Sequence, residues 1–209
     1  MDRETIFVEM NNVELTKEEL IRQEVIDAAR HLFQHFGLFK TTMEDIARQL
    51  NKGKSTLYYY YKNKDEIFEA VISQEIRDLF QEIRAATEQE VTGENKLRVY
   101  FSTVVNSIQK RILLYRIIKG EIGENLKFMV NLKYRMDNDE VMFIREILQV
   151  GMDRGEWIQE IERDLDLMAY AIVSAMRSIA LDLVMEDRFP DWDKRIVAIR
   201  EVFIRGLKR

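Results

Sequence analysis

The sequence predicts an all-α protein, and three observations lead to this prediction. The 209 residues include one proline and eight glycines, so few positions interrupt a helix. Leu, Ile, Glu, Arg and Met, which favour helices over strands, are abundant. From Thr16 onward, apolar residues recur at helical spacing in one segment after another. Hydrophobic residues make up 46% of the chain, which is enough to form a folded core.

Residues 1–16 are predicted to form an N-terminal arm, either frayed or packed on the rest of the chain. The first helix is expected to begin after Thr16, which has the spacing of a capping box with Glu19. Gly37 is expected to end it. A second helix is predicted to begin after Thr42, its N-cap.

A sharp turn is expected at Asn51, because asparagine tolerates the left-handed conformation. Residues 53–61 then form a third short helix, and a long fourth helix follows, capped by Asn63 or by Asp65. Further helices are predicted near residues 95–115, 126–153, 163–186 and 192–207.

The stretch "GKSTLYYYYKNK" places four consecutive tyrosines in the third helix. Successive helical residues are about 100° apart, so four of them cannot all face one core. Leu57 and Tyr61 share the face that closes against the first two helices. Tyr58 and Tyr59 must then point outward, with Tyr60 at the edge.

The second and third helices have the spacing of a helix-turn-helix unit. Ala47 is small enough for a close helix crossing, Asn51 forms the turn, and Leu57 returns to the core. Residues 40–64 carry six basic and two acidic residues, whereas residues 65–209 carry 22 basic and 27 acidic ones. A basic segment on an acidic body favours a polyanion partner at one end of the molecule.

The segment "AARHLFQHFGLFKTTMEDIARQLNKGKSTLYYYYKNKDEIF" resembles the DNA-binding domain of tetracycline-repressor-type (TetR family) regulators over about residues 20–70. Two positions depart from the family pattern: Asn51-Lys52 replaces the usual Gly-Val, and Tyr61 replaces a phenylalanine. The resemblance implies that Thr42 caps the second helix and meets a phosphate, and that Lys64 clamps a backbone phosphate. The full set of DNA-binding residues that it implies is Thr42, Lys54, Ser55, Thr56, Tyr58, Tyr59, Tyr60 and Lys64.

The resemblance also implies a homodimer that reads an inverted repeat in double-stranded DNA. The helices near 163–186 and 192–207 carry more apolar surface than one chain needs to cover, and two copies of each would form a four-helix interface. The predicted division is therefore an arm at 1–16, a DNA-binding domain at 17–64, and an effector-binding and dimerisation domain at 65–209.

A small-molecule cavity in the second domain is a further implication of the resemblance. The residues that could line it are Tyr100, Phe101, Val104, Phe128, Met129, Leu132, Met136 and Met142, with ordinary core packing as the alternative for each. Arg177 could anchor an anionic ligand. It also shares a stripe with Ser174, Ser178 and Asp182, which indicates a solvent or interface face instead.

Other classes of protein find less support in the sequence. His31 and His35 have a metal-binding spacing, but the HExxH glutamate, a cysteine and a third ligand are missing, so we expect neither metal nor cofactor. No phosphate loop or nucleophile motif indicates an enzyme. The lack of cysteine, of an apolar run of about 18 residues and of a signal sequence predicts a cytoplasmic protein.

The function predicted is therefore a transcriptional regulator, a repressor released from its operator by a small molecule. Two alternatives stay open: the same DNA-binding dimer controlled by a protein partner or by no effector, and a helical protein-interaction module that has lost DNA binding.

Overall fold

The computed structural model describes the backbone of residues 16–111, 126–186 and 192–209, and within these ranges it leaves out the side chains of residues 108, 126–137, 177, 180–186 and 192–195. The described residues form helices without a named strand, so the all-α prediction is confirmed. The helices are α1 (Lys17–Phe36), α2 (Met43–Gln49), α3 (Lys54–Tyr60), α4 (Lys64–Glu88), α5 (Gly93–Lys110), α6 (Leu126–Asp153), a 3₁₀ helix (Gln159–Asp164), α7 (Leu165–Glu186) and α8 (Trp192–Leu207). The predicted arm lies outside the described residues apart from Thr16.

The chain divides into two compact units, one up to Ile72 and the other from Ser73 to Arg209. The boundary falls inside α4, further along the chain than the predicted division after residue 64. The first part of α4 belongs to the first unit because Ile67, Phe68 and Val71 are buried there. The Phe68 ring meets the Phe33 ring of α1 edge-on at a centroid distance of 5.9 Å.

Two capping boxes fix where α1 and α2 begin. The Glu19 amide donates to the Thr16 hydroxyl at 3.2 Å, and the Glu19 carboxylate accepts from the Thr16 amide at 2.7 Å. Thr42 and Asp45 repeat this arrangement at 3.2 and 3.0 Å. Both predicted caps are confirmed, and each satisfies amides that a helix start leaves unpaired.

The turn between α2 and α3 has the predicted geometry. Asn51 has a φ of 54°, the left-handed conformation that asparagine tolerates better than most residues. The Lys52 amide donates to the Ala47 carbonyl at 3.0 Å, which closes the turn. Ala47 and Leu57, the small and the aliphatic residue of the predicted unit, are 3% and 2% exposed. The helix-turn-helix prediction is therefore confirmed in its backbone and in its core.

The core of the second unit is built from the second half of α4 and from α5, α6, α7 and α8, with one tryptophan at a close helix contact. Trp157 is 1% exposed, and its indole occupies the space into which a side chain at Gly151 would project. A Cβ at Gly93 would lie 2.7 Å from the Gly151 Cα. Glycine at both positions therefore allows α5, α6 and Trp157 to pack together.

The end of α8 is joined to the loop that carries Trp157. The Ile158 amide donates to the Leu207 carbonyl at 2.9 Å, within an isolated antiparallel bridge between Trp157 and Lys208. The Lys208 ammonium lies 2.7 Å from a Glu94 carboxylate oxygen at the start of α5. In the part of the chain that the structure describes, no helix is both long and apolar enough to cross a membrane.

Candidate DNA-binding site

The third helix presents its tyrosines as the helical spacing predicts. Leu57 and Tyr61 face the core and are 2% and 7% exposed. Tyr58 and Tyr59 point outward with 45% and 76% of their surface exposed. Tyr60 is half-buried at the edge. Two large amphipathic side chains therefore project from a helix whose opposite face is anchored.

Polar groups surround these tyrosines on the same helix. Lys54 and Ser55 are exposed and Thr56 is half-buried. The Lys54 ammonium lies 6.0 Å from the centroid of the Tyr58 ring, and the Tyr59 and Tyr60 rings meet edge-on at 5.0 Å. Hydroxyl and ammonium donors next to exposed rings suit phosphate oxygens, sugars and base edges.

Arg22 of α1 holds the C-terminal end of α3. Its guanidinium donates to the Tyr60 carbonyl at 2.9 Å and lies 5.6 and 5.3 Å from the centroids of the Tyr60 and Tyr61 rings. Burial raises the pKa of Tyr61 above its ordinary value, and a hydrogen bond with Arg22 opposes that rise. Arg22 therefore lies beside the tyrosine that stands where the family pattern has a phenylalanine. The sequence carried no signal for this role of Arg22.

At the start of α2, Thr42 is exposed beside Asp45. The Thr42 hydroxyl donates to the Asp45 carboxylate at 2.6 Å. This bond and the one from the Thr42 amide lower the pKa of Asp45 below its ordinary value. Asp45 thus stays ionised and keeps the first turn of α2 closed.

Lys64, expected at a phosphate, has its ammonium directed into the protein. It donates to the carbonyls of Leu38 at 2.7 Å and Thr41 at 3.0 Å, and the Phe39 carbonyl is 3.5 Å away. These carbonyls belong to the segment between α1 and α2. Thr42, Lys54, Ser55, Tyr58 and Tyr59 are thus exposed, whereas Lys64 is half-buried with its ammonium at main-chain carbonyls.

Other basic residues of this segment are also paired within the first unit. Lys52 forms an ion pair with Glu24 of α1 at 2.9 Å. Arg48 lies 3.6 Å from Glu44 and 3.7 Å from Asp45. Among the described residues, the side chains of Lys40, Lys54 and Lys62 form no ion pair or hydrogen bond. Lys40 and Lys62 belong to the basic segment of residues 40–64 but are not among the predicted DNA-binding residues.

The residues predicted to line a ligand cavity fall into different environments. Tyr100, Phe101 and Val104 are buried in the core of the second unit, at 0%, 1% and 5% exposure. Met142 points outward and is 62% exposed. The remaining predicted side chains, Phe128, Met129, Leu132, Met136 and Arg177, lie outside the described residues.

Two cavities of about 200 and 190 Å³ adjoin this core. The larger lies between α4 and α6, with apolar walls that include Leu79, Phe80 and Ile83. It also reaches Glu140, whose carboxylate accepts a hydrogen bond from the Tyr100 hydroxyl at 2.7 Å. Burial raises the pKa of Glu140 to about 7, although the Tyr100 bond acts in the opposite direction. The smaller cavity lies between α5 and α8 and is lined in part by Phe101.

The two histidines of α1 are exposed and stacked on each other at a centroid distance of 4.2 Å. His35 Nδ1 donates to the His31 carbonyl at 2.8 Å. Within the described ranges, no cluster of three or more His, Asp or Glu side chains could hold a metal ion.

Known proteins share this architecture. The family model of bacterial regulatory proteins, tetR family, matches residues 25–71. The HTH-type transcriptional regulator YhgD of Bacillus subtilis (strain 168) is 25% identical over 186 residues, which cover 88% of this chain and 94% of that protein. The probable acrEF/envCD operon repressor of Escherichia coli (strain K12) is 26% identical over 198 residues, covering 91% and 89%. The structure of the transcriptional regulator FadR from Bacillus subtilis in complex with stearoyl-CoA matches with a TM-score of 0.69 and 20% identity, over 88% of this chain and 98% of that one.

The fold and the exposed face of α3 define a helix-turn-helix, DNA-binding transcriptional regulator. Residues 25–71 carry the DNA-binding domain of the tetR family of bacterial regulatory proteins.

Proposed function

We propose that this regulator is a homodimeric repressor that binds an inverted-repeat operator and is released from it by a small molecule. One observation carries the DNA-binding part of the proposal. The α3 helix is anchored through Leu57 and Tyr61 while Tyr58 and Tyr59 project from the opposite face. A helix with one face fixed and the other exposed can enter a major groove.

Individual roles follow from position and chemistry. Tyr58, Tyr59 and Tyr60 contact bases and sugars, with their hydroxyl groups available to phosphate oxygens. The polar residues at the start of α3, Lys54, Ser55 and Thr56, contact the phosphates and neighbouring base edges. Thr42 meets a phosphate at the start of α2.

The sharpest test of these roles compares Tyr59→Ala with Val91→Ala in duplex binding. Tyr59 and Val91 are both exposed, at 76% and 68%, and Val91 lies between α4 and α5 of the second unit. Tyr59→Ala is expected to weaken binding to the operator at least about tenfold, since one good base or stacking contact is worth about 1–3 kcal/mol. Val91→Ala should bind the operator like the wild type. Equal affinity of Tyr59→Ala and the wild type would remove Tyr59 from the interface.

The dimer is proposed to form through α7 and α8, in the unit that we assign to effector binding and dimerisation. Leu167, Tyr170 and Val202 are exposed at 63%, 52% and 72%. Ala171 and Ser174 are small exposed residues on the same side of α7 as Leu167 and Tyr170. Apolar side chains next to small ones suit the close approach of a second helix pair.

Tyr170→Glu tests this interface, with Met142→Glu as its matched control. Met142 is also exposed, at 62%, but lies on α6. Light scattering after size exclusion should show a monomer for Tyr170→Glu and a dimer for Met142→Glu. A dimeric Tyr170→Glu variant would place the interface elsewhere.

The effector is proposed to bind beside the larger cavity, between α4 and α6. Its apolar walls suit the hydrocarbon part of an amphipathic ligand. An acyl-CoA is the first class to test, because the structurally similar FadR was crystallised with stearoyl-CoA. Release requires that the ligand bind the DNA-incompetent conformation more tightly than the competent one. Stearoyl-CoA added to the protein–operator complex should lower the fluorescence anisotropy of a labelled operator.

One observation favours the second candidate, a DNA-binding dimer without a small-molecule effector. The two cavities, at about 200 and 190 Å³, are smaller than the roughly 300–1,000 Å³ typical of ligand sites. If acyl-CoA esters of short, medium and long chains neither release the operator nor raise the thermal melting temperature, this candidate replaces the first.

A further inference from the structure

We infer that the smaller cavity, between α5 and α8, is a binding site for a small amphipathic carboxylate, and that Arg200 binds the carboxylate group. This site is separate from the larger cavity, where the effector is proposed to bind. Its described lining residues all come from one chain. Binding there is therefore independent of DNA and of the proposed function.

The buried part of this cavity is apolar. Phe101, Val105 and Ile196 line it and are 1%, 3% and 7% exposed. The Phe101 ring packs against the Phe203 ring of α8 at a centroid distance of 5.9 Å. The cavity volume of about 190 Å³ is below the roughly 300–1,000 Å³ of sites for drug-sized ligands. The ligand that fits is therefore small, with a single ring or a short hydrocarbon chain.

Three polar side chains line the same cavity: Ser102 and Asn106 of α5 and Arg200 of α8. Arg200 Nη1 donates to the Ser102 hydroxyl at 2.9 Å, and Arg200 Nε donates to the Glu201 carboxylate at 3.2 Å. Within the described residues, these bonds occupy two of the five guanidinium donors. The exposed Asn106 carboxamide adds a further donor. A guanidinium with donors to spare beside a carboxamide suits the two oxygens of a carboxylate.

The charged groups around Arg200 leave an excess of positive charge. Glu201 accepts hydrogen bonds from both Arg98 and Arg200, and the bond from Arg98 is the main reason that its pKa lies below the ordinary value. Glu94 pairs with Arg98 at 2.9 Å and with Lys208 at 2.7 Å. These three cations and two carboxylates retain one positive charge. An anion is therefore favoured at Arg200 although Glu201 is its neighbour.

The test measures binding of two carboxylates, benzoate and hexanoate, to the purified full chain by saturation-transfer NMR titration. The matched neutral probes are benzyl alcohol and hexanol. About 150 mM salt screens general charge attraction. At least one carboxylate should bind saturably, one per chain. Its alcohol should bind at least about tenfold more weakly, because it lacks the charge-assisted bonds to Arg200.

Two pairs of variants locate the site. Asn106→Asp places a negative charge at the cavity and should weaken carboxylate binding at least about tenfold. Gln109→Glu adds the same charge at an exposed position of α5 outside the cavity lining and should bind like the wild type. Arg200→Met should bind the carboxylate as weakly as the wild type binds the alcohol. Arg205→Met, at an exposed position of α8, is its control.

Several results would overturn the assignment. One is the absence of saturable binding of either carboxylate to folded wild-type protein, and another is equal affinity for a carboxylate and its alcohol. Wild-type affinity in Asn106→Asp, or an equal loss in Gln109→Glu, would place the carboxylate elsewhere. Asn106 is exposed, so this comparison decides the matter even if Arg200→Met does not fold. A protein that binds the carboxylate as expected but binds no duplex would contradict only the proposed function.

Discussion

The guanidinium of Arg22 on α1 donates a hydrogen bond to the main-chain carbonyl of Tyr60, the last residue of α3, at 2.9 Å. The same guanidinium pairs with Glu18 at 3.1 Å, one turn away on α1. The orientation of the exposed tyrosines is therefore set from behind by a residue that does not itself lie on the exposed face of α3.

Arg22→Met is expected to weaken operator binding about tenfold while the protein stays folded. Methionine keeps part of the apolar stem but leaves the Tyr60 carbonyl without this donor, and a hydrogen bond from a charged group contributes about 1.5–3 kcal/mol. Fluorescence anisotropy measures the affinity for the operator. Circular dichroism measures the thermal unfolding of the variant. Lys17→Met, an exposed change on the same helix, is the control and should bind like the wild type.

The two capping boxes offer a matched pair of threonines. Thr16→Ala and Thr42→Ala should each lower the free energy of unfolding by about 1 kcal/mol, the usual contribution of an N-cap. Thr42→Ala should in addition weaken operator binding, since Thr42 is proposed to meet a phosphate. Urea denaturation and duplex titration check both expectations. An equal loss of affinity in the two variants would show that capping alone, and not a phosphate contact, matters at Thr42.

Gly151→Ala is expected to destabilise the second unit by on the order of 3 kcal/mol. The new methyl group would collide with the buried Trp157 indole, which has no room to withdraw. Gly206→Ala on α8 is the opposite case, because a Cβ there meets nothing within 4 Å. That change should stabilise the chain by about 0.5–1 kcal/mol through higher helix propensity. Urea unfolding, monitored by tryptophan fluorescence, shows whether each variant lowers or raises the free energy of unfolding.

The stability of the second unit should depend on the ionisation of Glu140. Burial raises the pKa of Glu140 from 4.5 to about 7, so the native state holds a proton that the unfolded state has lost at intermediate pH. This contribution is fully present below pH 4.5 and is lost as the pH rises to about 7. Relative to Glu140→Gln, the free energy of unfolding of the wild type should therefore fall by on the order of 3 kcal/mol across that pH window.

Thermal unfolding of the wild type and Glu140→Gln at a series of pH values measures this difference. Tyr100→Phe should move the upper end of the window to higher pH, because the Tyr100 hydroxyl lowers the pKa of Glu140. Parallel pH profiles for the wild type and Glu140→Gln would mean that folding does not shift the pKa of Glu140.

The features that depend on one helix at a time could be predicted from the sequence. The caps at Thr16 and Thr42 and the left-handed Asn51 are determined by residues within a few positions of each other. The inward Leu57 and outward Tyr59 follow from helical geometry alone.

The features that depend on contacts distant in sequence could not be predicted in this way. Arg22 meets Tyr60 across 38 positions, and Lys64 meets Leu38 across 26. The local sequence pattern does not distinguish a lysine that binds carbonyls from a lysine that faces solvent. Met142 is a second example, because its apolar side chain suggested a cavity wall whereas it is 62% exposed.

The central claim, that a dimer reads DNA through α3, is tested most directly by selecting bound duplexes from a random pool with purified protein at moderate salt. The account predicts enrichment of an inverted repeat whose half-sites are centred about one helical turn apart, and loss of that enrichment in Tyr59→Ala. Enrichment of the same repeat by Tyr59→Ala, or no enriched sequence with folded, dimeric wild-type protein, would contradict it.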